Sequence, residues 1–116
     1  MNDDQLWEIE RGFWVHGREH YRRFWSKDAV AGFPRPAGIM TGADFVDSLP
    51  DEGGYEEVSM SEKVLARPHE GVAVLAYRAH GRSRDRDYRC ICTSTYLDHE
   101  GWRMIQHSQV PAGGDA

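Results

Sequence analysis

The chain has 116 residues, 40% of them hydrophobic and 28% charged, with a net charge of −5 at pH 7. That length suits one domain over 1–116 with a core that needs no disulfide staples. The acidic balance argues against a nucleic-acid partner, and no apolar run approaches the roughly 18 residues of a membrane helix.

The start, MNDDQ, is acidic and lacks the basic and apolar regions of a signal peptide, so a cytoplasmic protein is expected. Residues 1–5 read as a frayed polar lead-in, with Asp3 or Asp4 available to cap a helix. From Leu6 to Trp25 the apolar residues recur at the helical step. Leu6, Trp7, Ile9, Phe13, Trp14, Tyr21, Phe24 and Trp25 share one broad arc, opposite Arg11, Arg18, Glu19, Arg22 and Arg23. Gly17 lies inside that arc. A glycine there weakens a helix by about 1 kcal/mol against alanine, which points to close approach of a sheet or loop.

After Ser26-Lys27-Asp28, residues 29–33 can form a short strand, and Pro34, Pro36 and Gly38 force an irregular connection. Thr41 can cap a short helix over 42–49, with Phe45, Val46 and Leu49 on one face. The remainder reads as strands over 55–66, 72–80, 88–97 and 102–110, joined by turns at 67–71 and 98–101 and by a charged loop at 81–87. In the first of these, Val58, Met60, Val64 and Ala66 fall on one side. Residues 112–116 read as a frayed tail.

Helices first and strands afterwards define an α+β class, and short connections make the last four strands an antiparallel meander. Strand 88–97 carries apolar residues on both faces, Ile91 and Leu97 against Cys90, Cys92 and Tyr96. The outer sheet face is therefore expected to form a homodimer interface. Cys90 and Cys92 lie one pleat apart, poor geometry for a bridge, and are expected to be reduced thiols. An even turn at 98–101 would pair Leu97 with Trp102, Cys92 with His107, Ser94 with Ile105 and Cys90 with Gln109. A slip of one residue would reverse their faces.

The segment from Tyr88 to Pro111 (YRCICTSTYLDHEGWRMIQHSQVP) resembles the last two strands of the nuclear transport factor 2-like superfamily, the cone-shaped α+β fold of SnoaL-like cyclases and ketosteroid isomerase. The residues that carry the resemblance are Tyr88, Cys92, Ser94, Tyr96, Gly101, Trp102, His107 and Pro111, with IERGFW and FPRPAGIMTG earlier in the chain. The nearest branch is the bacterial domain of unknown function 4440. The resemblance implies a pocket between the helices and the concave sheet face. Tyr77, Cys92, Ser94, His107 and Gln109 would point into it, and Glu10, Trp14, Met40 and Phe45 would close it.

A carboxylate at position 10, among Trp7, Trp14 and Gly17, would be desolvated, which makes Glu10 a candidate acid or base. The plainer alternative is a Glu10 hydrogen-bonded to backbone or to Tyr77. His107 opposite Glu10 would complete an acid–base pair; alternatively it sits in a polar patch with Gln109 and Ser94. His16 and His20 have metal-ligand spacing without an evident third ligand, so no metal and no cofactor are expected. Three functions follow. One is a protein binding a small, mostly apolar molecule. The second is a cofactor-free isomerase, cyclase or hydratase using Glu10 or His107. The third is a dimeric interaction module whose cavity is filled by its own side chains.

Overall fold

Asn2 starts the first helix. In the computed structural model, which describes residues 1–113, its side chain accepts from the Gln5 amide at 2.8 Å, while the Gln5 side chain accepts from the Asn2 amide at 2.9 Å. This reciprocal pair satisfies two otherwise orphaned donors and begins helix α1, Asp3–Val15, within the segment expected to fray. The cap is Asn2 rather than Asp3 or Asp4. Residues 114–116 of the expected frayed tail lie outside the described residues.

The long periodic stretch is not one helix. Helix α1 stops at His16, helix α2 covers Arg18–Phe24, and Trp25 opens strand β1, Trp25–Gly32. Two glycines explain the break. A Cβ on Gly17 would lie 2.0 Å from the Asp51 carbonyl oxygen, so a loop packs where a side chain would be. A Cβ on Gly12 would lie 2.1 Å from the His20 ring, which rests on α1 and bonds the Ile9 carbonyl at 2.8 Å. The close approach expected at Gly17 is therefore present, and it comes from a loop. It also turns α2 back across α1, a tertiary contact that periodicity alone does not register.

Strand β2, Ile39–Thr41, lies in the stretch expected to be irregular, and helix α3 covers Gly42–Asp47. Strands β3 (Glu57–His69), β4 (Val72–Arg82), β5 (Asp87–Asp98) and β6 (Trp102–Pro111) form the expected antiparallel meander. Among the described residues the sheet has six strands in the order β2-β1-β6-β5-β4-β3, with β1 parallel to β6.

Two bulges set which side chains face inward. In β3 the register shifts between Ser61 and Val64, and Glu62 adopts a φ of 50°. Beyond the shift Leu65 turns to the core and Val64 to solvent, so Val64 and Ala66 do not continue the face of Val58. Between β5 and β6 the observed pairs are Asp98 with Trp102, Leu97 with Arg103, Ser94 with His107, Cys92 with Gln109 and Cys90 with Pro111. The expected pairs are thus each displaced. The turn moves the register by one residue, and a bulge between Thr95 and Tyr96 moves it by one more. Two shifts of one restore the faces, and they bring Ser94 directly opposite His107.

The helices cover the concave side. Leu6, Ile9, Phe13, Trp25, Leu75, Tyr96 and Met104 form one buried cluster, and Trp14, Val58, Tyr77, Ala79, Cys90 and Cys92 form a second. Each large side chain in them contributes about 1.5–3 kcal/mol on burial. The Cys90 and Cys92 sulfurs lie 3.3 Å apart inside the second cluster. On the convex side Val30, Val64, Ile91, Leu97 and Val110 remain exposed.

Candidate functional site

Glu10 is fully buried where the two core clusters meet, and three hydroxyls converge on its carboxylate. Tyr77 donates to Oε2 at 2.5 Å, Ser94 to Oε2 at 2.7 Å and Tyr96 to Oε1 at 2.6 Å. The helix supplies the acceptor because position 10 follows Leu6 and Ile9 on the buried stripe. The strands supply the donors because Ser94 and Tyr96 alternate onto the concave face of β5 beside Tyr77 of β4. A buried carboxylate is tolerable when its lone pairs are occupied in this way.

The network extends from this centre in two directions. The Trp14 indole N–H donates to the Tyr77 hydroxyl at 2.9 Å. On the other side Ser94 Oγ lies 2.7 Å from His107 Nδ1, His107 Nε2 lies 3.0 Å from the Gln109 amide nitrogen, and Tyr88 donates to Gln109 Oε1 at 3.1 Å. His107 Nδ1 is also 3.7 Å from Glu10 Oε2, so an imidazolium there would be paired with the carboxylate. Burial nevertheless pushes the His107 pKa below its ordinary value, and the attraction of Glu10 only partly opposes this. Burial, reinforced by the Glu10 charge, pushes Tyr77 and Tyr96 well above the usual phenol value, which keeps both as donors.

Above this layer is a cavity of about 180 Å³. Phe13, Tyr21 and Trp25 wall one side, Trp14, Tyr55 and Tyr88 another, with Phe33 and Met104 between; His107 and Gln109 form its polar edge. None of the described lining residues carries a formal charge. The Trp25 indole and the Tyr21 hydroxyl are spent on the carbonyls of Gly42 and Phe13, so these two contribute mainly hydrocarbon.

Of the residues expected at the pocket, Trp14, His107 and Gln109 line the cavity. Glu10, Tyr77 and Ser94 lie one layer beneath it, joined to it through Trp14 and His107. Cys92 sits against Cys90 in the core and does not line the cavity. Phe45 packs 5.1 Å from Trp25 and 5.5 Å from Phe33, behind the wall, and Met40 pairs with Ala31 on the edge strand. Tyr96 and Tyr88 also belong to the site, beyond the residues expected there. The two-residue period of β5 puts both on the face of Ser94, and that signal could have found them. Tyr55 had no such signal, because it precedes β3; its backbone N–H donates to the Trp14 carbonyl at 2.7 Å and its ring packs 5.7 Å from the Trp14 ring. The His16 and His20 rings are tilted by 42° with centroids 5.3 Å apart, and His20 is committed to the Ile9 carbonyl.

No family model matches the sequence. No curated protein matches it either. Solved structures do. A ketosteroid isomerase-like protein from Parabacteroides distasonis superposes with a TM-score of 0.78 at 14% identity, covering 96% of this chain and 88% of that one. A nuclear transport factor 2-like protein of unknown function in nutrient uptake from Rhodospirillum rubrum gives 0.77 at 14% identity, over 97% of this chain and 100% of the other. The association domain of CaMKII from C. elegans gives 0.66 at 13% identity, over 91% and 89%. At these identities the likeness is one of fold, and the chain has the nuclear transport factor 2-like cone fold.

Proposed function

We propose that the protein binds a small, mostly apolar molecule in the cavity between its helices and the concave sheet face. The observation that carries this reading is the partly open cavity of about 180 Å³, walled by aromatic rings and finished by His107 and Gln109. A cavity of about 150 Å³ is enough for a benzene-sized ligand, so the occupant is a one- or two-ring molecule. Binding sites of this kind combine an apolar wall with a few placed polar groups. The test is a thermal-shift screen over ketones, aromatic acids and short lipids. Saturable stabilisation by one class supports the reading, because a ligand that binds only the folded state raises its melting temperature. No shift from any class, at concentrations that saturate typical pockets, counts against it and favours an interaction module with a self-filled cavity.

A second reading is a cofactor-free isomerase, cyclase or hydratase. It is favoured by His107, a neutral imidazole on the cavity edge backed by a carboxylate at 3.7 Å. The likeness to a ketosteroid isomerase-like protein is compatible with it. In this reading His107 moves the proton, and Glu10 acts from beneath.

Further parts of the proposal rest on the sequence. The strand pattern of Tyr88, Cys92, Ser94, Tyr96 and His107 resembles that of the domain of unknown function 4440 branch, and this resemblance supports reading the chain as one of its members. The exposed apolar residues of the convex face, Ile91 and Val110 among them, suit a homodimer. Two adjacent unbridged thiols suit a reducing cytoplasm.

A further inference from the structure

We infer that Ser94 holds His107 as the Nδ1–H tautomer, so that Nε2 is the hydrogen-bond acceptor of the pocket, and that the pocket selects an uncharged ligand bearing an O–H or N–H group. The ligand preference rests on the pocket-binding reading above; the tautomer does not.

The argument is a proton count. A serine hydroxyl has one proton. Ser94 Oγ lies 2.7 Å from a carboxylate oxygen of Glu10 and 2.7 Å from His107 Nδ1. Two oxygens at that distance with no proton between them repel, so the serine proton lies toward Glu10. Ser94 then offers only a lone pair to His107, and Nδ1 must carry the hydrogen. Burial disfavours a second ring proton, so Nε2 is left with its lone pair.

The far end of the chain agrees. Tyr88 donates to Gln109 Oε1 at 3.1 Å, which orients the amide so that its nitrogen faces Nε2 at 3.0 Å. Every bond therefore runs one way, from Tyr88 through Gln109, His107 and Ser94 to Glu10. Gln109 is only partly buried and lines the cavity, whereas Ser94 is fully buried. The Nε2 edge is thus the one a ligand reaches, and the Gln109 amide is the group that a ligand hydroxyl would replace. At Nε2 a ligand offering only a carbonyl or ether oxygen would set lone pair against lone pair. A charged ligand would find no charged lining partner.

The experiment has two arms on the unmodified protein. Long-range proton–nitrogen correlation spectra, with His107 assigned through its ring protons, report the tautomer directly. The expected result is a pyrrole-type Nδ1 and a pyridine-type Nε2 at neutral pH; the reverse assignment overturns the inference. In the second arm phenol and anisole are titrated. Phenol should bind at least about tenfold more tightly and shift the Nε2 resonance, since a site built to bond a hydroxyl penalises the analogue that lacks one. Equal affinity overturns the preference while leaving the pocket in place. If neither these two nor any member of the wider panel binds, the pocket reading fails and the preference fails with it, and the tautomer is judged by the spectra alone.

Discussion

Tyr96 donates its hydroxyl proton to Glu10 Oε1 over 2.6 Å, joining residues that lie 86 positions apart in the chain. The bond ties the first helix to a central strand, and neither end is reachable by water. Removing one partner leaves the other buried and unpaired, which costs more than the bond contributes.

Tyr96→Phe should therefore lower unfolding free energy by about 1–3 kcal/mol. Glu10→Ala should cost more, about 3–5 kcal/mol, because it strands three hydroxyls and opens a hole. Urea denaturation of the three proteins checks both the values and their order. A Glu10→Ala variant as stable as the parent would mean that the hydroxyls find other partners.

Stability should fall as the solution is acidified below about pH 6.5, the ordinary imidazole value. Burial lowers the pKa of both His107 and His20 in the folded state. The unfolded chain then binds protons that the folded chain refuses, so the contribution is present above pH 6.5 and is lost as the pH falls through the folded values. Melting temperature against pH, with His107→Gln as the comparison, measures the share owed to His107. At the alkaline end the sign reverses. Tyr21, Tyr77 and Tyr96 have raised folded values, with burial the main cause and Glu10 the second, so stability should fall as pH rises beyond about 10.

Gly17→Ala should destabilise the protein, and Gly32→Ala should not. At Gly17 a Cβ would meet the Asp51 carbonyl oxygen at 2.0 Å, a clash with backbone; at Gly32 there is nothing within 4 Å. The first should destabilise by about 1–3 kcal/mol, and the second should stay within about 0.5 kcal/mol of the parent. Thermal melts of the two, run side by side, decide whether the loop at Asp51 is packed against the helix break.

On the enzymatic reading, any turnover found with a panel ligand should be lost in His107→Ala and reduced in Glu10→Gln. A general acid or base at the reacting atoms contributes about 10²–10⁴-fold, and a group acting through Ser94 contributes less. Unchanged turnover in Glu10→Gln counts against the role given to Glu10, and no turnover in the parent counts against an enzyme.

For the proposed homodimer, Ile91→Lys and Val110→Lys place charges opposite one another on β5 and β6, on the convex face. Sedimentation should show a dimer for the parent and a monomer for the double variant, with ligand binding retained because the cavity lies on the other face. A monomeric parent removes this part of the proposal.

The α+β class, the four-stranded meander and the buried helix stripe were legible from residue order, because each is written in local periodicity: 3.6 for the stripe of Leu6, Ile9 and Phe13, and two for Tyr77, Cys92, Ser94 and Tyr96. The convergence of Glu10, Trp14 and Tyr77 was partly legible for the same reason. Three features were decided only by the tertiary structure. The helix breaks at Gly17 because a loop from residue 51 occupies the space of its missing side chain. Ser94 meets His107 because a turn and a bulge each move the strand by one residue. Glu10 lies beneath the cavity wall rather than in it because hydroxyls from two strands hold it there. Periodicity states which face a side chain takes; how far along a neighbouring strand it sits, and what lies above it, are set by contacts between residues distant in the chain.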